Sequence, residues 1–264
     1  MKGNRIVRFV YLSNHRARMR PKPHQQRDES PALELIPKIC SLGFVYDGPN
    51  RIFLNHPPSN TGDSSRNQFR ALGLTERDIL LLATRPPLDD KDEIQPLRPS
   101  GSEVEALIFR VLRERCFYHC SRGNVALRPA VAESLAAGFH RRSEIEFSLR
   151  SDRVSLGTGT YRALHGREEA ESKPWNEMMT AGYLVNVPLG EGLPSLLAVF
   201  GMSGTTTLAW AYLLHKHSDV LTQAVRGPSF TMVEIQTEPI VGNPVDFTFC
   251  DGWGMQVIAY CPIS

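Results

Sequence analysis

The stretch Leu196–His217, LLAVFGMSGTTTLAWAYLLHKH, constrains the fold more than any other part of the chain. Leu196, Leu197, Ala198, Val199 and Phe200 form an unbroken apolar run, the pattern of a buried strand. Gly201 and Gly204 relax the backbone around Ser203, and Thr205, Thr206 and Thr207 offer helix caps. Leu208, Tyr212 and Leu213, with Ala209 and Ala211 between them, then give a helix a broad apolar face. A strand, a tight turn and a helix are expected in that order. The free N–H groups and positive dipole end of the helix would sit beside Ser203 and Thr205. This is a candidate anion site. The plainer alternative is a capped, buried helix whose hydroxyls satisfy only their own backbone.

Gly201-Met202-Ser203-Gly204-Thr205 also approaches the G-x-S-x-G nucleophile elbow, with Thr where the last glycine belongs. The usual order in that fold is Ser, acid, His. Here the last histidine, His217, belongs to the same helical stretch as Ser203, and none follows Asp219, Asp246 or Asp251. That order excludes the usual triad and leaves only a Ser203–Asp251 dyad open.

A chain of 264 residues suits one large domain or two small ones. Its net charge of +2 selects no class of partner, but the charge is uneven. Lys2, Arg5, Arg8, Arg16, Arg18, Arg20, Lys22 and Arg27 all precede the first acidic residue. This segment reads as a solvated extension, with an arm for nucleic acid or a membrane surface as the alternative. Five scattered cysteines make no disulfide framework and fit a reducing compartment. Cys116, His119 and Cys120 are a poor zinc set without a second ligand pair, so no metal is expected. No apolar run approaches the roughly 18 residues needed to span a bilayer. A cytoplasmic location is expected, or export without a standard secretory signal.

Taken in order, Arg5–Leu12 alternates as a strand and 14–30 reads as a basic loop. Ala32–Leu42 has helical spacing, shortened by Pro37 or starting near it. Phe44–Leu54 reads as a hairpin around Asp47-Gly48-Pro49-Asn50. Leu74–Ala83 reads as a helix capped by Thr75, and LTERDILLLA also resembles part of a helix-turn-helix without a basic recognition helix. Ser102 and Glu105 form a capping box that opens a helix over Glu103–Arg115. Pro129–Phe139 reads as another helix. Phe147 and Leu149, then Val154 and Leu156, flank a turn at Arg150–Asp152 and make a hairpin. Pro174–Ala181 reads as a short helix closed by Gly182. Strands follow at Phe230–Ile235, Val245–Phe249 and Met255–Tyr260. The chain divides near residue 142, with a helical or mixed region over 1–142 and a strand-rich one over 143–264.

Over about residues 145–264 this order of pieces resembles the ADP-ribosyltransferase superfamily, which includes poly-ADP-ribose polymerases and many bacterial toxins. The resemblance rests on VSLGTGTYRALHG, PWNEMMTAG, the opening stretch and VDFTFCDGWGMQVIAY. It implies an α+β chain whose C-terminal domain is a split antiparallel sheet that binds NAD as substrate. By the family's histidine branch, His165 would hold the adenosine ribose and Gly166 the nicotinamide amide. Phe200 would stack on the nicotinamide, Ser203 and Thr205 would line its pocket, and Asp246 would stand where the polymerases carry a catalytic Glu. By the arginine branch, Arg162 would bind phosphate and Glu238, in Gln236-Thr237-Glu238, would be the catalytic acid. The two alignments are alternatives.

Cleavage of the nicotinamide–ribose bond passes through an oxocarbenium-like state, which a carboxylate stabilises. The resemblance therefore implies transfer of ADP-ribose, a glycosyl transfer, from NAD to a protein or nucleic-acid acceptor, or hydrolysis of NAD. The alternatives are a hydrolase or phosphate-ligand enzyme using the Gly201–Thr205 turn, and a non-enzymatic interaction or regulatory protein.

Overall fold

Two strands built on apolar runs, Ile79–Leu82 and Ser195–Gly201, lie side by side and parallel at the centre of the computed structural model. The structure describes residues 5–9, 23–46, 64–84, 86, 88, 103–121, 124–131, 133, 147–150, 153–156, 178–201, 204–237 and 254–263. Its elements, in chain order, are β1 (Arg5–Phe9), α1 (Pro23–Ser41), β2 (Phe44–Tyr46), α2 (Ser64–Ala71), β3 (Ile79–Leu82), α3 (Glu103–Arg115), β4 (Phe117–Ser121), β5 (Asn124–Leu127), β6 (Phe147–Arg150), β7 (Arg153–Leu156), β8 (Met178–Pro188), β9 (Ser195–Gly201), α4 (Gly204–Lys216), α5 (Ser218–Val225), β10 (Ser229–Thr237) and β11 (Gly254–Pro262).

One seven-stranded sheet runs in the order β11-β10-β8-β9-β3-β1-β2. Strands β2, β1, β3 and β9 are parallel to one another, and β8, β10 and β11 continue the sheet antiparallel. Side chains alternate across it. Leu81, Leu197 and Val199 pack with α1, α4 and α5 on one face. Leu80, Leu82, Leu196, Ala198 and Phe200 pack on the other with α2, α3 and the strands β4 and β5. Both faces are covered, which is why β3 and the 196–200 run of β9 are apolar on both sides. A second sheet, antiparallel and four-stranded, has the order β4-β5-β7-β6 and joins the core through Phe117, Val125 and Leu127.

Mixed α and β structure was expected and is present. The described strands after residue 142 pair with one another antiparallel, β6 with β7 and β9 with β8, β10 and β11 in turn across the sheet, while β9 also pairs parallel with β3. Strands β3 and β9, from opposite sides of residue 142, pair directly in this sheet.

Four local expectations are corrected. Leu74–Ala83 is not a helix. Its first part is a turn, and Ile79–Leu82 is a strand with all four residues buried, an environment that one helix face does not provide. The helix-turn-helix resemblance loses its helix with it. Thr75 does not cap a helix; its N–H and hydroxyl donate to the Asp78 carboxylate at 2.6 and 2.9 Å. Met178–Ala181 belongs to strand β8, which pairs with β10 and then, from Gly182, with β9 as well. Helix α1 starts at Pro23, well inside the expected basic loop, and runs 19 residues through Pro37. Pro37 is exposed, while Ala32, Leu35, Ile36 and Ile39 bury a helical stripe against α4 and the sheet. Packing of that stripe outweighs the proline's missing hydrogen bond.

Other expectations hold. Helix α3, strand β9, the β6–β7 pair and strand β10 fall where the patterns put them. Phe44–Tyr46 is a strand, but it pairs parallel with β1, and the second arm of the expected hairpin lies outside the described residues, as does Val245–Phe249. Residues 129–131 and 133 are helical, and the rest of Pro129–Phe139 lies outside the described residues.

Candidate functional site

The opening stretch is built as its pattern requires. Strand β9 ends at Gly201, and α4 begins at Gly204. The Thr207 hydroxyl accepts a hydrogen bond from the Gly201 N–H at 3.0 Å, so the first turn of the helix is tied back to the strand it left. Trp210, one turn further, is fully buried and donates from Nε1 to the Tyr183 carbonyl of β8 at 3.0 Å. That contact needs Gly182, where a Cβ would stand 2.9 Å from Trp210 Cγ and 2.9 Å from Ile235 Cδ1.

The turn stands at the carboxyl ends of parallel strands. From β1 the chain passes through α1 on one face to β2. It then returns through α2 on the opposite face to β3, on the other side of β1. The chain thus reverses direction about β1, two strands from β9, and open α/β sheets bind ligands beyond the carboxyl ends of their parallel strands. Phe9, Leu82 and Gly201 end the strands on this edge. The first turn of α4 carries Gly204, Thr205, Thr206 and Thr207, with no acidic side chain, while His215 and Lys216 occupy the last turn. Its N-terminal N–H groups and positive dipole end face that edge without a carboxylate of their own turn to neutralise them.

Of the residues singled out from the sequence, the structure describes some and not others. Thr205 lies in the first turn of α4. Phe200 is fully buried, stacked on Tyr183 with ring centroids 5.2 Å apart and set edge-on to Phe117 at 5.7 Å. It is a core side chain, with no face open to a nicotinamide. Ser203, Arg162, His165, Gly166, Glu238 and Asp246 lie outside the described residues, as do Asp251 and Trp253. His215 and His217 are exposed at the far end of α4. Among the described residues no group of three His, Cys, Asp or Glu side chains is placed to hold a metal ion. No helix among them is long and apolar enough to cross a membrane.

Several polar residues matter more than their local sequence suggests. Arg8, counted with a solvated basic extension, is 3% exposed in β1. Burial lowers its pKa, and the nearby Asp78 carboxylate opposes that shift. Asp78, itself buried, accepts from the Ile6 N–H at 2.6 Å and so fastens β1 to the turn before β3. Its own carbonyl accepts from Ser195 N–H at the start of β9. Asn186 donates to the Ala224 and Gly227 carbonyls at 2.8 and 3.2 Å, holding the end of α5 to β8. Alternation in β1 puts Arg8 on the face opposite Val7 and Phe9, and nothing local in the sequence marks that second face as covered. Cys116 is buried, and that burial pushes its thiol up to about 12, with Arg115 pulling down and Cys261 pushing up by lesser amounts.

Compared with protein families, curated proteins and solved structures, the chain matches none.

Proposed function

We propose that the protein binds a phosphate-bearing ligand at the turn between β9 and α4. The observation that carries this reading is the placement of an acid-free helix N-terminus at the carboxyl end of a central parallel strand. Backbone N–H groups at such an end complement phosphate oxygens, and the dipole adds favourable charge. Ser203 and Thr205 are the hydroxyl residues of the turn. ADP-ribose transfer from NAD is a narrower form of the same reading, with the NAD pyrophosphate at the turn and Asp246 or Glu238 as the carboxylate. It rests on the family resemblance alone, and the parallel run β2-β1-β3-β9 favours the broader reading. The hydrolase alternative uses the same turn, with Ser203 as nucleophile.

Three assays on the full chain separate these readings. Calorimetric titration with inorganic pyrophosphate and with NAD is expected to show saturable heat. Absence of binding to both overturns the proposal. Release of nicotinamide from NAD, lost on Asp246→Ala or Glu238→Ala, selects the transferase; binding without release removes it. Turnover of a nitrophenyl ester that disappears in Ser203→Ala selects the hydrolase.

A further inference from the structure

We draw no further inference here: the strongest candidate, the outer edge of β11 with its exposed Tyr260 at the end of the seven-stranded sheet, carries nothing because nothing in the structure shows what covers it.

Discussion

At the scale of single residues, Gly182 has Trp210 and Ile235 packed where a side chain would begin. Gly182→Ala forces the Trp210 ring and the terminal methyl of Ile235 aside in a dense core. Overpacking of this kind costs about 1–3 kcal/mol. A melting temperature lower by several degrees is expected in a thermal scan; an unchanged value would contradict the close approach. Trp210 as a core residue was legible in the sequence, because its helix is apolar on a broad face. The need for Gly182 was not. A glycine after Pro-Trp-Asn-Glu-Met-Met-Thr-Ala reads as a helix end, since that is its commonest local use. The true reason is a partner far along the chain, which no local pattern contains. Cys116 offers a second test at this scale. Its thiol, ordinarily at 9.0, rises to about 12 on burial. The unfolded chain therefore loses this proton at lower pH than the folded one. Stability is fully present below about pH 9 and is lost as pH rises towards 12. Urea titrations across that range are expected to show the decline in the native protein and a shallower one in Cys116→Ala.

Among the elements, β3 and β9 show how one signal was read in two ways. Both are short apolar runs. The run before Gly201 ends in a glycine turn and reads as a strand. The run Ile79–Leu82 follows Thr-Glu-Arg-Asp, which resembles a capped first helical turn. Periodicity does not separate a buried strand from a buried helix segment over four residues. The deciding fact is non-local: Ile79–Leu82 lies between β1 and β9 with both faces of the sheet covered. Helix α1 outruns its sequence pattern for a related reason, since its prolines are local signals and its packed stripe is not. The join of β9 to α4 is where element and candidate site meet. Thr207→Val keeps the shape of the side chain and removes the acceptor for the buried Gly201 N–H. Leaving a buried donor unpaired costs about 1–3 kcal/mol. Hydrogen exchange at the Gly201 amide is expected to accelerate in this variant; unchanged protection would show that the hydroxyl does not hold the turn.

On the scale of the whole molecule, strands from both ends of the chain share one sheet, and its two faces bury separate sets of side chains. The strand–turn–helix was readable from the sequence, but its neighbours were not. Parallel pairing joins segments distant along the chain, so β3, the parallel neighbour of β9, leaves no mark within LLAVFG. The sequence therefore suggested the candidate anion site, and the fold adds its position at the carboxyl edge of the parallel strands. That position is the central claim, and Thr205→Glu tests it directly. A carboxylate in the first turn favours the helix dipole, so the unliganded variant is expected to melt at or above the temperature of the native protein. The same charge repels an anion at that helix end. The decisive measurement is the melting temperature of both proteins over a titration with pyrophosphate or NAD. Ligand at about 100 times its Kd stabilises by about 2.7 kcal/mol, a shift of roughly 5 °C or more for a chain of this size. The native protein is expected to show that shift and Thr205→Glu to lose it. No shift in the native protein with either ligand, or an equal shift in both proteins, would contradict a phosphate site at the β9–α4 turn.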